Sequence, residues 1–103
     1  MAEWIYFLHA PRDNFAATMT DEERAAFAEH SGWLARLLAD GTLILGGVTL
    51  GPANTGVVVL EAPDEETARA VIAEDPVTRG GFARPELRPY QLGFLRGRDQ
   101  VRR

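Results

Sequence analysis

The alternation of apolar and polar residues along the chain predicts four strands and two helices. Residues 3–9 form the first strand, because a run of consecutive apolar residues there ends just before Pro11. The remaining strands are predicted at residues 42–50, 55–61 and 87–95, the helices at residues 21–40 and 64–74, and a glycine-containing loop at residues 77–84.

The ends of both helices carry recognisable signals. Thr20 and Glu23 have the spacing of a capping box, in which each side chain accepts a hydrogen bond from the other residue's backbone amide. Gly41 follows the last turn, as glycine often does at the end of a helix. Asp75 precedes Pro76 and so ends the second helix, because the residue before a proline is disfavoured in helical backbone.

The element order β-α-β-β-α-β predicts an α+β, ferredoxin-like fold, with two helices on one face of a four-stranded antiparallel sheet. The first and third strands are apolar at nearly every position, whereas a sheet with one wet face should alternate. A second copy of the chain, sheet against sheet, is therefore expected to cover the other face, since little chain remains to do so. We expect one domain over residues 1–96 and a loose basic tail over residues 97–103.

Composition excludes several functions. The 103 residues are 46% hydrophobic and 25% charged, with a net charge of −4, so no basic face for nucleic acid is expected. Cysteine is absent, which excludes disulfides and thiol chemistry and suits a reducing cytoplasm. No leader is expected, and no apolar run approaches the ~20 residues that span a bilayer.

One histidine lies within the apolar arc of the first helix. A helical wheel places His30 on the face predicted to pack on the sheet, together with Phe27, Trp33, Leu34, Leu37 and Leu38. A buried imidazole needs hydrogen-bond partners, and a nearby carboxylate can tune its charge near neutral pH. The pattern alone leaves two interpretations open: a core histidine bonded to a backbone carbonyl, or a catalytic or binding group.

Asp75 is the second candidate, because the end of the second helix can return towards the first. Its position before Pro76 equally suits a capping aspartate with no further role. A metal site formed by His9, His30 and a carboxylate is a weaker alternative, since the two histidines lack a ligand spacing. We expect no metal and no cofactor.

Several motifs together resemble one family. Residues 30–43 fit the pattern H-x-x-x-L-x-x-L-x-x-x-G-x-L, and Gly46-Gly47, Ala73-Glu74-Asp75-Pro76, Gly80-Gly81-Phe82 and Glu86-Leu87-Arg88-Pro89-Tyr90 follow in order. This series resembles the YciI-like (YCII-related) family over most of the chain. The resemblance implies a ferredoxin-like fold that pairs as a dimeric α/β barrel, and an active site built on His30 and Asp75. One activity in that family is dehydrochlorination of a chlorinated hydroxyhydroquinone.

The implied chemistry is proton transfer on a small ring compound or lactone by a lyase or isomerase. Asp75 would orient the imidazole of His30, whose other nitrogen would take or deliver the proton. The pocket walls are expected to include Trp33, Phe82 and the backbone of Gly46 and Gly47, with residues 11–19 at the mouth. His9 is either a further polar group of the pocket or a solvent-exposed residue at the end of the first strand. The alternative is a non-catalytic dimeric module that binds a metabolite or a partner protein.

Overall fold

The computed structural model describes residues 1–97, in which four strands and four helices form. The strands are β1 (Ala2–His9), β2 (Leu43–Val48), β3 (Thr55–Ala62) and β4 (Arg84–Tyr90). The helices are α1 (Phe15–Thr18), α2 (Asp21–Ala39), α3 (Glu65–Ile72) and α4 (Pro76–Arg79). The basic tail predicted for residues 97–103 lies outside the described residues apart from Gly97.

The strands form one antiparallel sheet in the order β2-β3-β1-β4. Ile5 of β1 pairs with Val59 of β3, so the two most apolar strands occupy the centre. β2 and β3 are consecutive in the chain and pair antiparallel, with an irregularity in register between Leu43 and Leu45. The observed order and helix placement confirm the ferredoxin-like α+β fold.

Helix α2 begins and ends as the sequence predicts. The Thr20 hydroxyl accepts a hydrogen bond from the Glu23 amide at 3.1 Å, and the Glu23 carboxylate accepts one from the Thr20 amide at 2.8 Å. Gly41 follows the helix with a φ of 85°, a backbone conformation that favours glycine. This reciprocal cap fixes the start of the helix that carries His30.

The buried face of α2 is narrower than the predicted apolar arc. Its buried residues follow the helical repeat: Glu23, Ala26, His30, Trp33 and Leu37. Leu38 was expected to join them, but its side chain is 61% exposed. On the wheel Leu38 lies about 100° from Leu37, at the edge of the arc and beyond the reach of the sheet.

The chain after α3 differs from the prediction. The predicted loop at residues 77–84 contains α4, which follows the capping residue Asp75, and the last strand starts at Arg84 and ends at Tyr90. Pro85 and Pro89 lie within β4 and donate no ladder hydrogen bonds. They are tolerated because β4 is an edge strand that pairs only with β1.

The hydrophobic core lies between the sheet and the helices. On β1 the residues that face it alternate: Trp4, Tyr6 and Leu8 are all buried. The core cluster comprises Trp4, Tyr6, Leu8, Ala26, Trp33, Leu37, Val58, Leu60, Ala62, Ala68, Ile72, Val77 and Ala83. Tyr6 therefore places a hydroxyl within an otherwise apolar layer.

The opposite sheet face, which we call the outer face, is partly covered by the chain itself. Leu92 is buried, and its amide donates to the Glu3 carboxylate at 3.2 Å. Because Glu3 alternates with Trp4 along β1, it lies on the outer face. The expectation that too little chain remains to cover this face is thus wrong at the end near Glu3, while Ile5 and Phe7 remain half-exposed.

None of the helices within residues 1–97 is long and apolar enough to cross a bilayer.

Candidate active site

A cavity of about 340 Å³ lies between α2, the β2 side of the sheet and residues 10–19. Ligand pockets generally start at about 300 Å³, so the cavity suits a small molecule. Its walls are mostly apolar side chains and glycine backbone. The lining residues are Leu8, Ala10, Phe15, Ala16, Met19, Phe27, His30, Ser31, Leu34, Gly46, Gly47, Val48, Asn54, Gly56 and Ala83.

His30 is the titratable side chain in this wall. It comes from the middle of α2 and is 9% exposed. Its Nδ1 lies 2.8 Å from Oδ1 of Asp75, so the two candidates separated by 45 positions in the chain do meet. Phe27 and Trp33 flank the imidazole, with ring centroids 5.6 and 5.8 Å away. Nε2 forms no hydrogen bond with any described residue.

Asp75 is fully buried and serves two purposes at once. Its Oδ1 accepts the Val77 amide at 3.0 Å, which caps α4 as predicted, and the same oxygen faces His30. Its Oδ2 accepts the Tyr6 hydroxyl at 2.7 Å. Every oxygen of this buried carboxylate therefore has a donor, which a buried charge requires.

Tyr6 was not singled out by the sequence. Its hydroxyl bonds to Asp75 and also to the hydroxyl of Thr78 on α4. Burial raises the pKa of Tyr6 well above its ordinary value, and Asp75 adds to the rise while the Thr78 hydrogen bond opposes it. The available signal was its alternation with Trp4 and Leu8, which places a hydroxyl on the helix-facing side of β1.

The glycines of β2 line the cavity as predicted. A Cβ atom at Gly46 would lie 3.8 Å from the Val57 carbonyl and 3.9 Å from Leu34, while one at Gly47 would meet nothing within 4 Å. The missing side chains thus leave volume to the cavity and are not demanded by close packing.

Residues 10–19 form the cavity's outer wall, which we call the entrance segment. Phe15, Ala16 and Met19 line the cavity from this segment, in line with the expectation that residues 11–19 lie at the mouth. The segment includes the short helix α1, which was not predicted from the sequence. The Phe15 side chain is buried, and its burial holds the segment against the body of the protein.

Side-chain hydrogen bonds hold the entrance segment at both ends. Arg12 donates to both carboxylate oxygens of Glu23, at 2.9 and 2.8 Å, and its guanidinium lies 5.0 Å from the centre of the Phe15 ring. This hydrogen bonding lowers the pKa of Glu23 to about 2. At the other end, the Asn54 side chain accepts the Ala16 amide at 3.0 Å.

Three of the predicted binding residues do not line the cavity. Trp33 is buried behind His30, and Phe82 packs against the core. His9 lies on the outer face, where its Nε2 is 2.8 Å from Glu86 and its ring stacks on Phe7 at 5.9 Å. His9 has an odd number in β1, and the odd-numbered residues of this strand face away from the helices, opposite to Trp4, Tyr6 and Leu8.

The described residues contain no group of three or more histidine and carboxylate side chains that could hold a metal ion. His9 and His30 lie on opposite faces of the sheet, so the alternative in which they share a metal is wrong.

Comparison with known proteins adds two findings. A model of the YCII-related domain matches residues 4–91. The solved structure of the 5-chloro-2-hydroxyhydroquinone dehydrochlorinase TftG of Burkholderia phenoliruptrix AC1100, in complex with 2,5-dihydroxybenzoquinone, superimposes with a TM-score of 0.67 at 20% sequence identity. That match covers 90% of this chain and 96% of the other. A search of curated proteins found no match.

Proposed function

The chain belongs to the YCII-related domain family, and from that premise we propose that it is a small-molecule enzyme in which His30 and Asp75 transfer a proton. The observation that carries the proposal is an imidazole in the wall of an apolar cavity, with one ring nitrogen held by a buried carboxylate 2.8 Å away and the other unengaged. A mostly apolar cavity with a few convergent polar groups in its wall is the usual setting of a small-molecule site.

The pair divides the work between its two residues. Asp75 accepts the Nδ1 proton of His30, so the neutral imidazole carries its lone pair on Nε2. Nε2 removes a proton from the ligand, and the Asp75 carboxylate stabilises the imidazolium that results. The proton then returns to another atom in an isomerisation, or stays on the base while a leaving group departs in an elimination.

In a dehydrochlorination, Nε2 takes a proton from the substrate, the released electron pair forms a new double bond, and chloride leaves with the electrons of the broken carbon–chlorine bond. The name of TftG supports this choice among eliminations. Acyl transfer is not supported, because the Ser31 hydroxyl donates to the Phe27 carbonyl at 3.1 Å and is no prepared nucleophile.

The polarity of the cavity wall supports a small and largely apolar ligand, such as a small ring compound. The side chain of Asn54, a polar lining residue, already donates to the carbonyls of Thr49 and Gly51 at 3.1 and 3.2 Å. The nearby cation, Arg12, is paired with Glu23. Among the lining side chains, the polar atoms left for a ligand are thus His30 Nε2 and the Ser31 hydroxyl oxygen, which can still accept a hydrogen bond. The remaining contacts are apolar or with backbone.

Turnover by variants tests the proposal. We expect the wild-type chain to convert members of a panel of chlorinated hydroquinones, catechols and lactones. His30→Ala should lower the rate by about 10²- to 10⁴-fold, the range for loss of a general base. His9→Ala is the matched control on the outer face and should leave the rate unchanged. Turnover that survives His30→Ala would refute the assignment.

A non-catalytic binding module is the second candidate. The observation that favours it is the structural role of Asp75, which caps α4 through the Val77 amide whether or not His30 reacts. In that case the same panel binds in the cavity, detected by perturbed amide resonances around His30, and none of it is converted.

We also propose that the protein forms a homodimer through the outer face. Ile5 and Phe7 are half-exposed there although both are large and apolar, and Leu45 beside Val59 is 41% exposed. Leu45→Glu should shift the protein to monomer in analytical ultracentrifugation. Leu38→Glu, on an exposed part of α2, is the control and should leave the mass unchanged. A monomeric wild-type chain would refute the dimer.

A further inference from the structure

Tyr6 links the candidate pair to α4 through a hydrogen bond that the cap of α4 does not use. Its side chain is fully buried, and its hydroxyl contacts two side chains: Oδ2 of Asp75 at 2.7 Å and the hydroxyl of Thr78. The cap of α4 uses Oδ1 of Asp75 and would persist without Tyr6. The tyrosine hydroxyl is therefore the side-chain donor to the second carboxylate oxygen, Oδ2.

The direction of each hydrogen bond follows from the donors available. A tyrosine hydroxyl has one proton, and an ionised carboxylate can only accept, so Tyr6 donates to Asp75. The Thr78 hydroxyl must then donate to the Tyr6 oxygen. Protons thus point in one direction from Thr78 to Tyr6 to Asp75, and such chains strengthen each member.

We infer that Tyr6 is a positioning residue that, supported by Thr78, fixes the Asp75 carboxylate in its ionised form and so sets the pH at which the His30–Asp75 pair takes up its proton. The inference rests on the proposed function, in which this pair is the base. Tyr6 does not contact the cavity and acts through Asp75.

The sign of the effect follows from which form of the pair the hydroxyl favours. A donor to a carboxylate stabilises its charge and so favours the pair without its extra proton. Removing the Tyr6 hydroxyl therefore raises the proton affinity of the His30–Asp75 pair, whether the added proton resides on His30 or on Asp75. The groups that face the pair are Phe27 and Trp33 from α2, the Val77 amide and Thr78 from α4, and Tyr6 from β1. Among residues 1–97, Tyr6 is the one titratable side chain that forms a hydrogen bond with the His30–Asp75 pair.

The test is a pH titration of the His30 ring nitrogens by NMR in the full chain, which needs no substrate. We expect Tyr6→Phe to move the midpoint upward, by about a threefold to tenfold gain in proton affinity. Thr78→Val should move it in the same direction by less, because Thr78 acts through Tyr6. In the Tyr6→Phe background, Thr78→Val should have no further effect.

The outcomes separate the inference from its premise. An unchanged or lowered midpoint in Tyr6→Phe, with the backbone spectrum retained, would overturn it. If Tyr6→Phe fails to fold, Thr78→Val decides alone, since valine keeps the shape of threonine and leaves Tyr6 in place. Equal effects of Thr78→Val with and without the Tyr6 hydroxyl would also overturn it. Absence of turnover would refute the enzyme but leave the titration result standing.

Discussion

The buried tyrosine predicts how the protein responds to alkali, and the sequence makes the experiment unusually clean. The chain has no cysteine and, among its 11 basic residues, no lysine. Between about pH 9 and pH 12 the side chains that ordinarily change charge are therefore the two tyrosines, Tyr6 and Tyr90. Tyr6 is fully buried, whereas Tyr90 is 40% exposed.

The magnitude follows from the raised pKa of Tyr6. Burial is the main cause, and the folded protein keeps the Tyr6 proton at a pH where the unfolded chain loses it. Above about pH 10 the folded state thus binds one proton more, so the free energy of unfolding falls by about 1.4 kcal/mol for each pH unit. From about pH 9.5 to pH 11.5 the loss amounts to about 2 kcal/mol.

Urea unfolding over this pH range, at one protein concentration, measures the effect in the wild type and two variants. Tyr6→Phe should be less stable at pH 7, by about 1–3 kcal/mol, because Oδ2 of Asp75 loses its donor. It should nevertheless lose little further stability in alkali. Tyr90→Phe, the matched control at the exposed tyrosine, should keep the wild-type slope.

A Tyr6→Phe protein whose stability falls with pH as steeply as the wild type would refute this reasoning. Phenolate absorbance offers an independent check, because one of the two tyrosines should ionise only when the protein unfolds.

Two further predictions concern the packing of the fold and the entrance segment. Gly80→Ala should destabilise the protein by about 1–3 kcal/mol in thermal unfolding, since its Cβ would lie 2.4 Å from the Phe82 ring, whereas Gly93→Ala, with nothing within 4 Å, should not. Arg12→Gln should be less stable than wild type at pH 7, and the difference should shrink as the pH falls from about 4.5 towards 2. The reason is that hydrogen bonding from Arg12, which lowers the pKa of Glu23, stabilises the fold only while the Glu23 carboxylate is ionised. An Arg12→Gln deficit that persists at pH 2 would contradict this, and Arg24→Gln at an exposed pair serves as its control.

The fold was accessible from the sequence because its signals are local. The Thr20–Glu23 cap, the Gly41 stop and the proline after Asp75 each act within a few residues, and the element order then leaves one common topology. The boundaries of β4 were not accessible, because prolines argue against a strand unless its edge position is already known.

The site was predicted in part. The helical repeat turned His30 towards the sheet, and the family resemblance joined it to Asp75. The place of His9 stayed open because residues 4–8 of β1 give no polar alternation, so the sequence did not reveal which of the alternating positions faces the helices. Tyr6 was not predicted for the same reason, since the sequence alone does not distinguish a tyrosine that only packs in the core from one whose hydroxyl forms a functional hydrogen bond.

The entrance segment and the candidate pair are held by different parts of the protein, and this has a consequence for how the cavity can vary among relatives. Phe15, Ala16 and Met19 shape the cavity from a surface segment that is fastened largely by Arg12 and Asn54. His30 and Asp75 are instead fixed by α2, α4 and the core. If the cavity binds the ligand as proposed, insertions or replacements within residues 10–19 would change which ligands fit while His30 and Asp75 keep their geometry, and grafting this segment between relatives would alter specificity.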